Sequence, residues 1–251
     1  MPATDRIATD TLVDQSYWNR SYEAMRPTIA GADDRVRQWI EAHVPRAKDE
    51  QHCLEVGCFP GRYLGVLGQM GYVVHGVDLT PAVARMKPAF DAEGLRTGEF
   101  KEADFLSYAP DRKYDIVCSF GFIEHFTNWP DVLRKHAELV RPGGLLVIET
   151  PNFRGTVQHI LHRWLDHENY LRHHIAAMEP AAWAALLQRE GFVIQQSGWF
   201  GHFEFWHDTS NHGLLHRLGF RVLRSLTPWL KRRPEGGPSL SPYCGLIARK
   251  A

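Results

Sequence analysis

Short apolar runs of strand length alternate along this chain with segments whose apolar residues recur at helical spacing. Residues 53–62 predict a strand, a tight glycine turn and the start of a helix. Further strand-like runs lie at 72–78, 101–106, 114–120, 192–197 and 243–249, and residues 140–150 predict a helix end, a Pro-Gly-Gly turn and a fifth strand. Helical periodicity is strongest at 35–44, 60–70, 131–140 and 180–191. This alternation predicts an α/β fold with a sheet of about seven strands, in which 114–120 is buried on both faces.

The glycine turn and the acid that ends the second strand indicate a nucleoside pocket. Gly57 and Gly61 let the backbone approach a ligand closely, and Asp78 can accept hydrogen bonds from both ribose hydroxyls. Phe59 stands where a dinucleotide site needs glycine, and its ring would crowd a pyrophosphate. Glu55 would repel a phosphate but suits a ligand that carries an ammonium and a sulfonium. The pattern therefore favours a cationic nucleoside over a dinucleotide.

At these positions the chain resembles the class I S-adenosylmethionine (SAM) methyltransferases, and the resemblance continues over roughly residues 50–152. In that family an acid such as Asp104 binds the adenine amino group, and the next residue, here Phe105, flanks the ring. Glu124–His125 and the turn at 141–144 are typical of members that act on small molecules.

The resemblance implies a Rossmann-like seven-stranded sheet, mostly parallel, with helices on both faces and an antiparallel last strand. It also implies that SAM is the cofactor. The residues expected to contact SAM are Tyr17, Trp18, Glu55, Gly57, Cys58, Phe59, Gly61, Asp78, Leu79, Asp104, Phe105, Ser119 and Phe120.

The same resemblance predicts the organisation of the chain. Residues 1–48 would form an N-terminal arm and helix that closes over the cofactor as a lid. Residues 49–251 would form the core, with inserts at about 152–178 and 199–240 that border the acceptor pocket. The second insert is densely aromatic between Trp199 and Trp206, which suits an organic acceptor with rings.

Two histidines are candidates for a catalytic base. His125 follows the fourth strand, at the edge where open α/β sheets bind ligands, and His174 lies in the first insert. His125 could instead be a capping or orienting group. Glu124 and His125 also resemble part of the Glu-x-x-Glu-His element of ubiquinone-pathway O-methyltransferases, which is associated with a divalent cation. Gly121 replaces its first acid, so no metal is expected.

Two groups stand out among the histidines, and neither has clean metal-ligand spacing. There are 14 histidines in all; the groups comprise His159, His162, His167, His173 and His174, then His202, His207, His212 and His216. One interpretation is a metal site in which His159 and His162 bind the same ion. We favour a polar face with active-site hydrogen bonders.

The amino-acid composition bears on the binding partners and the location of the protein. Lys plus Arg equals Asp plus Glu at 29 each, so charge gives no argument for a nucleic-acid partner. No apolar h-region of a signal peptide precedes the core. The four cysteines have no paired spacing, and Cys58, which lies in the glycine turn, is expected to be more accessible than the other three. A cytoplasmic protein is expected.

Residues 214–233 are apolar and basic, which favours a helix covering the acceptor pocket over one lying on an anionic membrane.

The sequence thus predicts methyl transfer from SAM to a small-molecule acceptor, with a hydroxyl of a sugar or sugar-bearing metabolite as the first choice. One alternative is a polyprenyl-phenol or quinone O-methyltransferase at the membrane surface. A non-catalytic SAM-binding regulator is another. The oligomeric state is not predicted.

Overall fold

The computed structural model describes residues 11–208 and 213–251, and its core is one seven-stranded sheet. The first ten residues of the predicted arm, and His212, lie outside the described residues. The strands are β1 (His52–Val56), β2 (Val73–Asp78), β3 (Thr97–Glu102), β4 (Tyr114–Phe120), β5 (Val140–Pro151), β6 (Phe192–Phe200) and β7 (Tyr243–Lys250). Their order across the sheet is β3-β2-β1-β4-β5-β7-β6.

Strands β1 to β5 pair in parallel, whereas β7 is antiparallel to both of its neighbours, β5 and β6. The predicted seven-stranded, mostly parallel fold with an antiparallel last strand is confirmed. The order reverses between β1 and β4, so the loops after these two strands diverge at the carboxyl edge of the sheet. Open α/β sheets bind ligands in the crevice that such a switch point creates.

Helices of the described residues pack on both faces of the sheet. They are α1 (Gln15–Tyr22), α2 (Arg35–His43), α3 (Arg62–Gln69), α4 (Met86–Ala92), α5 (Trp129–Leu139), α6 (Thr156–Leu165), α7 (His167–Leu171), α8 (Pro180–Arg189) and α9 (Leu214–Leu230). One apolar cluster gathers Leu54, Val117 and Trp183, and another on the opposite face gathers Trp39, Leu67 and Phe90. None of the described helices is both long and apolar enough to cross a membrane.

Two strand boundaries and the burial of one cysteine differ from the sequence prediction. The third strand lies at Thr97–Glu102 instead of 101–106, because the Asp104 carboxylate accepts the amide hydrogen of Leu106 at 3.0 Å and turns the chain. The fifth strand begins at Val140, so the predicted turn at 141–144 is an irregular start to β5, with Gly143 at φ 75°. Cys58 is buried rather than accessible, because it packs beneath Gly76 of β2.

Candidate functional site

The loop after β1 forms one wall of a cavity of about 510 Å³ at the switch point. Gly57 and Gly61 have φ values of 67° and 84°, a conformation that residues with a Cβ atom rarely adopt. A Cβ atom at Gly57 would also lie 2.5 Å from the Phe122 ring. Gly61 caps the start of α3, where a Cβ would lie 2.3 Å from the Met86 side chain. Glycine is therefore required at both positions for the loop to turn and leave the cavity open.

Two carboxylates line this cavity. Glu55 is 4% exposed, and its Oε2 atom has no hydrogen-bond partner among the described residues. Burial, together with the charge of Asp78, holds the pKa of Glu55 well above its usual value. Burial also raises the pKa of Asp78, whose oxygens accept the amide hydrogens of Phe59 and Thr80 at 3.0 Å each. A buried carboxyl group with one unpartnered oxygen suits a cationic ligand, and the anchored Asp78 keeps lone pairs for further donors.

Glu55, Asp78 and Phe105 all line this cavity. In the roles predicted from the sequence, they would meet the ammonium, the ribose hydroxyls and the adenine ring of SAM. The other predicted cofactor residues that line the same cavity are Trp18, Gly57, Cys58, Phe59, Gly61, Leu79, Asp104 and Phe120. The cavity also takes in Tyr22, Tyr63 and Phe122, which no sequence motif had indicated.

Two predicted cofactor residues lie elsewhere. Tyr17 lines the neighbouring cavity instead, because its hydroxyl hydrogen-bonds Asp208 at 3.0 Å and the Arg172 guanidinium covers its ring. Ser119 is fully buried within β4 and lines neither cavity, because alternate residues of a strand point to opposite faces. The side chain of the following residue, Phe120, lines both cavities.

A second cavity of about 930 Å³ adjoins the first. The two inserts supply one side of it, through residues such as Arg172, His173 and Trp206. The inserts are held together where the Gln158 side chain donates to the Glu204 carbonyl at 2.9 Å. Six residues belong to both cavities: Trp18, Arg62, Tyr63, Phe120, Gly121 and His125. The molecule thus has two adjoining cavities, and the smaller one is lined by most of the predicted cofactor residues.

Carboxylates are prominent in the larger cavity. Glu149 is 4% exposed, and burial together with the charges of Glu124 and Asp34 holds its pKa well above the usual value. Glu124 is fully buried, and neither of its carboxylate oxygens has a partner within the described residues. Burial raises the pKa of Glu124 to about 8. Glu204 and Asp208 lie further out along the same wall.

His125 sits where the two cavities meet. Its Nδ1 atom lies 2.9 Å from the Arg172 carbonyl oxygen, which can only accept, so Nδ1 carries the hydrogen and Nε2 keeps a free lone pair. Burial lowers the pKa of His125 to about 4, so the ring is neutral at physiological pH. The Trp18 ring packs edge-on against it at 5.0 Å, and His173 lies at 4.7 Å between ring centroids.

The structure places His174 outside both cavities. Its backbone amide donates to the Glu124 carbonyl at 2.6 Å, which ties the first insert to the loop that carries His125. The neighbouring His173 lines the larger cavity instead, with its Nδ1 hydrogen donated to the Asn169 carbonyl at 2.7 Å. Sequence spacing had not distinguished these adjacent histidines.

Three of these side chains have ligand atoms within 4.8 Å of one another, namely Glu124, His125 and His173. His173 is distant from Glu124 and His125 in sequence, so the prediction of a metal-free protein considered only those two ligands at this site. Elsewhere in the first histidine group, His162 is paired with the buried Asp166 at 3.2 Å. The His167 Nδ1 hydrogen is donated to the Arg163 carbonyl at 3.1 Å.

Comparison with known proteins identifies the family to which this chain belongs. Residues 29–197 match the family described as a methyltransferase domain. A protein of Mycolicibacterium smegmatis named "Probable S-adenosylmethionine-dependent methyltransferase" is 26% identical over 153 residues, which cover 61% of this chain and 52% of that protein. A ubiquinone biosynthesis O-methyltransferase of Leptothrix cholodnii is 29% identical over 117 residues, covering 45% of this chain and 49% of that one.

The chain thus spans about half the length of these relatives. Among solved structures, a SAM-dependent methyltransferase from Archaeoglobus fulgidus superimposes with a TM-score of 0.55 at 19% identity. The match covers 95% of this chain and 100% of that one. At this identity the match supports the fold alone.

Proposed function

The chain belongs to the class I SAM-dependent methyltransferases, and we propose that it transfers the methyl group of SAM to a hydroxyl of a small, sugar-bearing acceptor. SAM is the cofactor of this family, and the donor set of the smaller cavity suits it. The sulfonium already activates the methyl group, so the protein must align the acceptor oxygen with the methyl carbon and the sulfur, and exclude water.

The observation that carries this proposal is the position of His125 on the boundary between the cavities. A hydroxyl is a weak nucleophile until its proton is removed, and a neutral imidazole with a free Nε2 is a suitable base. The Arg172 carbonyl fixes the tautomer that leaves Nε2 free. His125 is therefore the group that we assign to accept the proton of the acceptor.

The lining of the larger cavity supports a polyhydroxylated acceptor. The carboxyl groups of Glu124 and Glu149 can exchange hydrogen bonds with hydroxyl groups, and Glu124, buried without a partner among the described residues, gains most from one. Tyr63, Trp206 and Tyr243 offer flat apolar faces in the same cavity. Convergent acids beside aromatic rings suit the polar edges and apolar faces of a sugar.

Helix α1 covers the mouth of the cofactor cavity. Trp18 and Tyr22 line it, and the Arg85 guanidinium holds the end of α1 through the Tyr22 carbonyl at 2.7 Å. The tie between Tyr17 and Asp208 joins the same helix to the second insert. Closing α1 on both cavities would exclude water from the reacting atoms, as the lid role predicted for the arm requires.

A cytoplasmic location forms part of the proposal. The four cysteines are free and buried, which suits a reducing compartment.

An acceptor screen with SAM labelled on its methyl group tests the function. Simple sugars, sugar-bearing metabolites and catechols would be offered in parallel, and the methylated product located by mass spectrometry. We expect label on a hydroxyl oxygen of a sugar, and none without the protein. Transfer to catechols alone would favour the quinone-pathway alternative. SAM binding without transfer to any acceptor would favour the regulator.

A further inference from the structure

Helices α6 and α9 share an exposed apolar surface that the proposed chemistry does not use. On α9, Leu214, Leu218, Val222 and Leu226 follow one another at four-residue spacing, which places them on one side of the helix. We call the whole surface the α6–α9 face: Ile160, Trp164, Leu214, Leu215, Leu218, Val222, Leu226 and Trp229. Each of these residues is 49% to 83% exposed.

Close packing makes the two helices one continuous surface. Gly219 lies at their contact, where a Cβ atom would lie 2.7 Å from Leu165 and 3.6 Å from the Trp164 ring. The buried side of α9, with Leu223 and Leu230, packs against Leu165 and Phe203. The apolar side turned away from that cluster is therefore a second apolar face, which folding of the described residues leaves uncovered.

Basic residues flank this apolar stripe. Segment 214–233 contains six Lys and Arg residues and no Asp or Glu, although the whole chain has a net charge of zero. Within the part of the chain that the structure describes, Arg221, Arg224, Lys231 and Arg232 form no ion pair with a carboxylate. The Arg233 guanidinium lies over the Trp229 ring at 4.1 Å. The charge is thus concentrated beside exposed leucine and tryptophan side chains.

We propose that the α6–α9 face docks on the surface of an anionic lipid bilayer, an interpretation that the sequence alone favoured less than a cover over the acceptor pocket. Helix α9 would lie in the plane of the interface, with its leucine and tryptophan side chains among the acyl chains and its arginines among the headgroups. None of the described helices can span a membrane, which agrees with peripheral contact.

Charge complementarity separates this occupant from a second copy of the chain. A two-fold dimer through this face would bring the same patch of each subunit together. Six basic residues would then face the same six, with no acid in 214–233 to offset them. Anionic headgroups offset that charge, whereas a second copy adds to it.

The docking surface also lies close to the acceptor cavity. Lys231, directly after α9, lines the larger cavity, and the His207 ring of that cavity packs against Phe220 of α9 at 4.6 Å. A membrane-held acceptor would reach this cavity without leaving the interface. Delivery of an acceptor from the membrane to this cavity rests on the proposed function, whereas docking itself does not.

Co-sedimentation with vesicles tests the docking without any acceptor. The protein is mixed with vesicles of phosphatidylcholine alone, or with about 30% phosphatidylglycerol, at physiological and at high salt. We expect binding to the anionic vesicles only, and loss of most of it at high salt. Leu218→Asp/Val222→Asp and Arg221→Glu/Arg224→Glu should each weaken partitioning at least about tenfold. All four positions are exposed, so these variants should fold.

Matched controls come from another exposed region. Val193→Asp and Arg189→Glu change an exposed apolar and an exposed basic residue outside the α6–α9 face, and should sediment like the wild type. Equal binding to both vesicle types, no binding to either, or unchanged binding of the variants would overturn the proposal. So would a dimer, detected by light scattering without lipid, that Leu218→Asp/Val222→Asp dissociates, because the face would then belong to a second copy. The SAM-binding assay is independent of all these outcomes.

Discussion

The His125 imidazole donates its Nδ1 hydrogen to the backbone carbonyl of Arg172, with 2.9 Å between the nitrogen and the oxygen. The two residues are 47 positions apart, one after β4 and the other in the first insert. This contact fixes the tautomer of His125 and joins the insert to the loop that separates the cavities. It makes the basicity of Nε2 the property on which the proposed chemistry depends.

His125→Ala should lower kcat by about 10²–10⁴-fold while SAM affinity stays near wild type, because proton removal is lost and the cofactor contacts are not. The pKa of His125 is lowered to about 4, so the wild-type rate should fall only as pH drops towards that value. This acidic limb should be absent in the variant. His174→Ala, outside both cavities, is the control and should retain the wild-type profile. The reverse pattern would move the base to His174.

Asp78→Ala should weaken SAM binding by on the order of 1–3 kcal/mol, because two ribose hydroxyls would lose their acceptor. Calorimetry with SAM and S-adenosylhomocysteine measures the loss. Asp111→Ala changes a carboxylate that is 93% exposed and should bind both ligands normally. Binding of NAD in place of SAM by the wild-type protein would contradict the cofactor assignment.

SAM binding should release protons from Glu55 at pH values between the pKa of its carboxyl in the free and in the SAM-bound protein. Burial raises the pKa of this carboxyl in the free protein, and an ammonium beside it should lower the pKa again. Between those two values the group is protonated when free and ionised when SAM is bound. Calorimetry in buffers of different ionisation enthalpy counts the protons. Glu55→Gln should abolish the release, and a release that persists in this variant would implicate another group.

Glu124→Gln should stabilise the ligand-free protein more at pH 8.5 than at pH 5. The folded-state pKa of Glu124 is raised to about 8, so the folded protein holds a proton that the unfolded chain loses near pH 4.5. Stability therefore declines as pH rises from about 4.5 to 8, and glutamine removes that decline. Thermal unfolding at both pH values measures the difference. Glu138→Gln, at a side chain 63% exposed, should show little pH-dependent change.

Turnover should be insensitive to EDTA, and the purified protein should carry no stoichiometric metal. Glu124 is the only carboxylate in the cluster with His125 and His173, and hard cations require more oxygen ligands. Two imidazoles would suit zinc better, so elemental analysis should include zinc as well as magnesium. The prediction would be contradicted if EDTA abolished the activity, one of these ions restored it, and the same ion failed to restore activity in His173→Ala.

The sequence alone determined the sheet and most of the cofactor cavity, because both depend on local patterns. Buried parallel strands need continuous apolar runs, and the turn after β1 needs glycine wherever φ is positive. Glu55 and Asp78 follow from their places at strand ends, which meet at one edge of a parallel sheet. These constraints act over a few residues and can be recognised without tertiary contacts.

Only the tertiary structure decided how the two inserts meet the core. The choice of His173 over His174 for the cavity depends on the hydrogen bond from the His174 amide to the Glu124 carbonyl, a long-range contact. Tyr17 belongs to the larger cavity because Asp208, 191 residues away, accepts its hydroxyl hydrogen. Loop backbones carry no periodic pattern, so their side chains are placed by packing between distant segments, which a linear sequence does not specify.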